Sequence, residues 1–427
     1  MMAAGRAAEK GASVLLLEKT AKPGQKLLLT GNGRCNISNT APLHEFISMY
    51  GANGPFLYGS FKHFFRDELV AFLKSRGVLT SAEEDGRIFP SSGKAEDVLG
   101  ALRSYLAAEG IKIAFNTPVT GIRIAGGKVE GVETSAGLIP AGAVILATGG
   151  SSYSKTGSSG DGFRLALKAG HTIVPLRPAL VPLAVKEKVL SKSMQGVSLH
   201  NARITAFNCK AEDVDPARVP SADTGRGTDG KAPRPPIIES RTGDLIFAHF
   251  GISGPCVLKM SLAIIDTLAR GPVSVSIDLM PQQTETQIRV ELANSMALHG
   301  KKTLVNLTGN LIPPKLAQSI IGIAGILPEK QCRLVTAAER DRLAGLMKSL
   351  RFNILSPLSF DAAMVTAGGI SLKEINPRTM SSLLVKGLYF CGEVMDLDAE
   401  TGGFNLQAAF STGYVSGESA ATYLATL

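Results

Sequence analysis

"MMAAGRAAEKGASVLLLEK", residues 1–19, decides the fold. Ala3 to Lys10 has the small-residue composition of a helix, Gly11 is its stop, and Ser13 to Glu18 is a short aliphatic run that ends on an acid. Helix, glycine, strand and acid are the last parts of a dinucleotide-binding βαβ unit. In such a unit a strand and a G-x-G-x-x-G turn come before the helix, and the acid closing the second strand bonds the adenosine ribose. The first strand and its phosphate-binding turn are therefore expected upstream of Met1, and are missing here.

The pattern continues outward from that unit. Phe61 to Arg76 and Ala95 to Glu109 carry apolar residues at helical spacing, and "IKIAF" (111–115) reads as a strand. "VTGIRI", "KVEGVET" and "GLIP" then form an antiparallel meander joined by tight glycine turns. "GAVILATGG" (142–150) is a buried strand running into a glycine turn, followed by a helix from Gly162 to Ala169. This alternation predicts an α/β fold, a three-layer Rossmann-like arrangement of parallel sheet, helices and antiparallel meander. Past Pro182 the strands look longer and more polar, interrupted by "DVDPARVPSADTGRGTDGKAPRPP" (213–236), which reads as a mobile loop. Residues 284–351 turn helical, and "GLYFCGEV" with a terminal helix from Asn405 to Leu424 resumes the first pattern. The expected organisation is a discontinuous domain, 1–184 with 352–427, holding an insert at 185–351. That insert divides into a β part, 185–283, and a helical part, 284–351.

Composition narrows the function classes. The chain has 427 residues, 44% of them hydrophobic, enough for a large core. "SIIGIAGIL" (319–327) is the apolar run nearest to a membrane span and falls well short of the roughly 18 residues required. The opening residues show no secretory signal pattern, and five scattered cysteines without a C-x-x-C pair argue against disulfides and structural zinc; a cytoplasmic protein without metal is expected. Lys and Arg outnumber Asp and Glu by 45 to 36. The excess is spread along the sequence, so a solvated basic surface and a small-molecule partner are expected rather than nucleic acid or membrane.

Three glycine-rich segments sit where strands end: "TGNGRCN" (30–36), "ATGGSSYSKTGSSGDG" (147–162) and "GEVMDLDAETGGFNLQ" (392–407). Ligands of parallel sheets bind beyond the carboxyl ends of the strands, and glycine allows close backbone approach. Thr401-Gly402-Gly403 stands at the mouth of a helix, whose N-terminus favours negative charge.

These segments, with "KPGQKLLLTGNGRCNISN" (22–39), "GRIFPSSGKAEDV" (86–98), "FAHFGISGPCVL" (247–258) and "VTAGGISLKEI" (365–375), resemble in order the motifs of the BaiN-like, aminoacetone-oxidase-like family of bacterial FAD-dependent oxidoreductases. The resemblance runs over essentially the whole chain and implies that the β part of the insert, 185–283, is β-barrel-like. It implies bound FAD and hydride transfer to or from a small organic substrate, by amine oxidation or by reduction of an activated double bond, with NAD(P)H or oxygen as the partner in the other half-reaction. By motif position it implies Glu18 as the ribose ligand with Lys19 beside it, and Lys26, Arg34, Cys35 and Asn36 along the FAD. Val119 would meet adenine through its backbone. Thr148, Gly149 and Gly150 would form the second dinucleotide turn, Gly392, Glu393 and Asp396 would lie by the ribitol and phosphates, and Gly402, Gly403, Phe404, Asn405 and Leu406 would meet the flavin ring. The lysine that the family carries after "TM" and a serine is Leu383 here.

Single residues carry less. Arg34 suits a carboxylate or phosphate, and His249 is a candidate base if the insert contributes to the substrate pocket. Cys35 reads as a small buried filler rather than a redox thiol, and His171 as a helix-end residue that bonds a carbonyl. Two other readings stay open: a nucleic-acid-associated flavoprotein of the tRNA-modifying type, suggested by the charge, and a truncated, non-catalytic chain, suggested by the missing strand. No His, Cys or Tyr falls where a covalent flavin link would form. Acid precipitation of the purified protein should therefore release yellow FAD to the supernatant; colour kept in the pellet would show the reverse.

Overall fold

The computed structural model describes residues 1–214 and 237–427. Most of the loop expected at 213–236 lies outside the described residues. The chain forms two compact units: Met1–Pro178 with Phe360–Leu427, and Ala179–Ser359.

In the first unit, Leu15–Leu17 pairs in parallel with Lys112–Ala114, and Val144–Leu146 pairs in parallel with Leu388–Phe390. Leu388, Tyr389 and Phe390 are all buried, as expected of a parallel strand covered on both faces. The meander follows the sequence reading, with strands Val119–Ala125, Lys128–Thr134 and Gly137–Pro140. Helices Ala95–Ala108, Asp161–Lys168 and Phe404–Leu424 fall within a residue of their expected bounds.

Two expectations change. The single helix expected over 61–76 is two, Tyr58–His63 and Arg66–Lys74, because Phe64 is extended and Glu68 turns back to accept the Phe65 N–H at 2.9 Å. That carboxylate satisfies a donor left open at the start of a new helix, so the chain breaks where apolar spacing alone would carry it through. The stretch 22–39, expected as loop, holds a short helix, Gln25–Leu29, and a strand, Ser38–Asn39, paired with Arg87–Pro90.

Helix Met2–Glu9 lies against the terminal helix through small residues. Ala3, Ala4 and Ala7 are buried, and a Cβ on Gly417 would stand 2.2 Å from the Ala3 carbonyl oxygen. Arg6 spans the pair, with Nε and Nη2 donating to Glu418 at 2.9 and 2.6 Å.

The second unit is a closed antiparallel barrel. Its strands run in the order Leu183–Val185, Gly251–Ser253, Ile237–Ala248, Ser198–Phe207, Ser274–Asp278 and Leu350–Pro357, the last pairing back with the first. Closure removes both sheet edges. Leu183, Ile204, Phe247, Ile277 and Phe352 belong to one core that continues into helices Glu285–Leu298, Pro314–Ile323 and Ala337–Lys348. Two of these helices begin in capping boxes, Thr284 with Gln287 and Thr336 with Glu339.

Two glycines on helices give opposite expectations. Gly100 has nothing within 4 Å of its Cβ position, so Gly100→Ala should stabilise by about 0.5–1 kcal/mol through helix propensity. Gly417→Ala must push two helices apart and should cost about 1–3 kcal/mol. Denaturant midpoints of the two variants should move in opposite directions; a shift of Gly417→Ala to higher stability would contradict the packing described.

Candidate cofactor site

The glycine-rich turns at the carboxyl ends of the parallel strands are held together by one carboxylate. Glu393, just past Leu388–Phe390, accepts from the Thr366 N–H at 2.8 Å, the Ser152 hydroxyl at 3.2 Å and the Gly150 N–H at 3.3 Å, and pairs with Lys26. Lys26 also donates to Ser152 Oγ at 2.7 Å. The turn after Val144–Leu146, the turn after Leu388–Phe390 and the helix carrying Lys26 thus meet at one point. Gly149 and Gly392 have φ of 71° and 73°, the left-handed turn geometry that glycine supplies without strain. A Cβ on Gly150 would lie 2.4 Å from Thr366 Oγ1.

At the acid closing Leu15–Leu17, Glu18 Oε1 accepts from Thr20 N at 2.8 Å and Thr20 Oγ1 at 2.9 Å. Among the described residues Oε2 accepts nothing, which leaves a carboxylate oxygen available to hydroxyl groups. Its backbone carbonyl takes the Thr117 N–H at 3.0 Å, which places Val119, the first residue of the meander, close by in the chain. Lys19 turns away from this point to pair with Asp161 and to donate to Ser159 at 2.5 Å. That cation, the Ser159 hydroxyl and Arg164 hold the Asp161 carboxyl down at about 2, against the desolvation that works to raise it.

The mouth of the terminal helix is braced by Asn36. With its amide oriented to satisfy its neighbours, Nδ2 donates to the carbonyls of Ser38 at 2.9 Å and Ile88 at 3.2 Å, and Oδ1 accepts the Gly403 N–H at 2.9 Å. A Cβ on Gly403, where φ is 93°, would lie 2.2 Å from the Ser38 carbonyl oxygen. The glycine is therefore required by the approach of another strand of the protein, an origin the sequence reading did not foresee. Phe404 is buried edge-to-face against Phe46 at 4.6 Å, and its carbonyl accepts from Tyr50 Oη at 2.6 Å. Asn405 closes the loop before the helix, accepting from Ala399 N at 2.9 Å and donating to Ala399 O at 2.8 Å. Leu406 packs against the core beneath, and Asn39 ties Gly402 through its carbonyl at 3.0 Å. Asp396 is half-buried, held by Asn53 at 3.0 Å; burial pushes its carboxyl up, opposed by Asn53 and the Arg177 charge.

Arg34 lies over the Phe89 ring at 4.0 Å and pairs with Glu83 at 2.5 Å. Cys35 is fully buried and its thiol is pushed up to about 12 by burial, which suits the filler role. His249 is exposed in the turn between Ile237–Ala248 and Gly251–Ser253 of the second unit, with Phe250 as its ring neighbour at 5.1 Å. His171 is buried and meets side chains rather than a carbonyl: Nε2 is 2.9 Å from Ser382 Oγ, and Nδ1 is 3.2 Å from Glu374. Sequence reasoning missed Ser152, Thr366 and Asn53. Their one signal is polarity inside otherwise apolar or glycine segments such as "VTAGGI".

FAD fits these residues on two counts. The glycine turns cluster at the carboxyl ends of parallel strands, and Thr148 Oγ1 is shielded from solvent without a hydrogen-bond partner, as an atom completed by a ligand would be. This combination of parallel ladders, meander and glycine turns defines a Rossmann-type nucleotide-binding protein. The chain belongs to the HI0933-like Rossmann-domain family, whose pattern it matches over residues 1–419. It is 30% identical to a 3-dehydro-bile acid delta(4,6)-reductase of Clostridium scindens, over 96% of this chain and 93% of that one. It is 28% identical to a ribosomal RNA dihydrouridine synthase of Haemophilus influenzae, over 97% and 94%. Among solved structures, a 3-ketosteroid delta1-dehydrogenase of Sterolibacterium denitrificans aligns over 99% of this chain and 97% of its own, at 13% identity and a TM-score of 0.49.

Of the five cysteines only Cys209 is other than buried. With a thiol near 12, Cys35 holds only about one part in 10⁴ as thiolate at pH 8. Ellman's reagent should label Cys209 first in the native protein and all five thiols after unfolding; rapid native labelling of Cys35, read by peptide mapping, would restore it as a redox candidate.

Proposed function

We propose that this chain is an FAD-dependent oxidoreductase that reduces a carbon–carbon double bond conjugated to a carbonyl, in a small organic substrate. The observation that carries the reading is chemical. Two relatives alike over nearly their full lengths bear names for reducing this kind of bond, one in a 3-dehydro-bile acid and the other in uridine. Amine oxidation, the other expectation from the sequence, has no counterpart in those names.

In such a reaction a hydride adds to the β-carbon and a proton to the α-carbon, and NAD(P)H is oxidised to NAD(P)⁺. FAD, when bound, supplies the two-electron carrier between the nicotinamide and the substrate. The protein's own groups bind and orient it: Glu18 through its open oxygen towards ribose hydroxyls, Thr148 to Gly150 and Gly392 through close backbone approach, and Lys26 as a cation suited to phosphate. The N-terminus of Phe404–Leu424, fixed by Asn36, Gly403 and Asn405, directs positive partial charge to one side of the site. Residues Glu18, Lys26, Asn36, Val119, Thr148–Gly150, Gly392, Glu393, Asp396 and Gly402–Leu406 form the proposed FAD site. Five free cysteines suit a reducing compartment, so a cytoplasmic setting is part of the proposal.

A second reading, uridine within RNA as substrate, is supported by the dihydrouridine synthase relative and by the formal charge of +9. Anaerobic NADH and NADPH oxidation by the yellow protein separates the cases. Turnover is expected with a 4-en-3-one or 4,6-dien-3-one steroid. Amine-dependent oxygen uptake without enone turnover would overturn the reading, and dihydrouridine appearing in ribosomal RNA, with steroids inert, would replace it with the second.

A further inference from the structure

We propose that His171 is a proton-operated latch on the segment 371–387. Neutral, it holds the segment closed through Ser382; protonated, it lets the segment go and loosens the cofactor site at both of the segment's ends. The segment joins two strands of the first unit, Val365–Ile370, which carries Thr366, and Leu388–Phe390, which leads to Glu393.

Donor counting fixes the state of the imidazole. Ser382 Oγ accepts the N–H groups of Leu384 at 3.0 Å and Val385 at 2.8 Å, which uses both lone pairs of the hydroxyl. Its own proton therefore goes to His171 Nε2 at 2.9 Å, so that nitrogen is bare. The ring proton sits on Nδ1, 3.2 Å from Glu374 Oε2 in an ion-pair contact rather than an aligned hydrogen bond. A second proton on the ring lands on Nε2, where it faces an oxygen with no lone pair left and a hydroxyl proton with no acceptor. One bond at Ser382 must then break, and two of the three are those that close the segment.

The groups around the ring set the direction of the response. Burial pushes the imidazole below its ordinary value, opposed by Glu374. Glu374 is the charged group against the ring. The segment faces it with the Ser382 hydroxyl, the strand Leu388–Phe390 with the Phe390 ring at 4.8 Å, and the end of helix Asp161–Lys168 with the Ala166 carbonyl, which takes the His171 N–H at 3.0 Å. Against the burial that works to raise it, the Thr172 N–H and the imidazole hold the Glu374 carboxyl low, so it stays ionised while the ring titrates. The closed form thus prefers the neutral ring, and opening takes up a proton. Closure is complete above about pH 6.5 and is lost as the pH falls below it.

The segment resists opening weakly. Met380 is fully buried at φ 61°, a conformation that strains a residue with a side chain. Leu383 and Leu384 already stand 59% and 50% exposed, so release of 382–385 uncovers little apolar surface beyond Val385.

Only the effect on FAD rests on the cofactor site proposed above. The test follows hydrogen exchange of the FAD-loaded full chain by mass spectrometry between about pH 7.5 and 5.5, corrected for the intrinsic pH dependence of exchange, with FAD release read by fluorescence. Protection of the peptide 382–387 should fall by up to about tenfold per pH unit below the midpoint, the limit for opening coupled to one proton, and FAD release should speed up over the same range. His171→Gln should remove the pH dependence of both. Glu374→Gln keeps the ring but removes the anion that favours its protonation, so it should move the midpoint to lower pH, and it keeps the test open if the first variant fails to fold. The strand Ser198–Phe207 of the second unit should keep its protection throughout. Unchanged protection of 382–387 in the wild type, an equal fall in His171→Gln, an unmoved midpoint in Glu374→Gln, or an equal loss in Ser198–Phe207 would each overturn the latch. Opening in acid with FAD retained would overturn its coupling to the cofactor site. A chain that holds no FAD even at neutral pH would instead count against the cofactor site, and the exchange of 382–387 would still decide the latch.

Discussion

Four donors converge on the Glu393 carboxylate, from Thr366, Ser152, Gly150 and Lys26, and the rest of the candidate site depends on that convergence. A carboxylate has about four lone-pair positions, so the group is saturated by the protein itself. The four donors come from three separate stretches of chain: the strand Val365–Ile370, the turn after Val144–Leu146, which supplies both Gly150 and Ser152, and the helix Gln25–Leu29. Val365–Ile370 also pairs in a two-stranded sheet, but the turn and the five-residue helix are too short to fix their own positions by regular hydrogen bonding. The carboxylate does so by making their mutual placement the condition for satisfying buried polar groups.

Glycine does comparable work where backbones must touch. At Gly417 a helix meets the Ala3 carbonyl, and at Gly403 the mouth of the same helix meets the Ser38 carbonyl, with Cβ positions 2.2 Å from oxygen in both cases. The terminal helix is therefore pinned near both ends by contacts that exclude any side chain. Arg6 with Glu418 adds an ion pair on one side, and the Asn36 amide adds hydrogen bonds on the other. A helix held this way cannot slide by a turn to ease strain elsewhere, which keeps its N-terminal N–H groups aimed at one place.

How much of this was legible in the sequence follows from the range of the forces involved. The helices at 95–108 and 404–424 and the meander were readable because apolar spacing and glycine turns are local signals. The break at Phe64–Phe65 was not, because the Glu68 carboxylate outweighs a continuous apolar stripe. The capping boxes at Thr284 and Thr336 are local patterns that sharpen the helical part of the insert. A barrel at 185–283 was expected from the family resemblance, but not the strands that close it: Leu183–Val185 pairs with Leu350–Pro357, across most of the second unit, and nothing near either strand names its partner. Glycine positions marked the candidate site, whereas Thr366 and Asn53 reach it by tertiary contact alone.

A steroid enone and a uridine ring share the reacting bond and almost nothing else. A site that lowers the barrier for hydride addition has to recognise only the conjugated carbonyl. What distinguishes one carrier from the other must come from surfaces that never meet the reacting atoms, since binding energy from remote parts of a substrate can be used to orient the part that reacts. A steroid offers apolar area and asks for a cleft; an RNA offers phosphates at regular intervals and asks for unpaired cations on a rigid frame. Charge of this kind can be gained or lost by surface substitution while the glycine turns and their carboxylate stay as they are, so one Rossmann frame can serve substrates that differ this much in size.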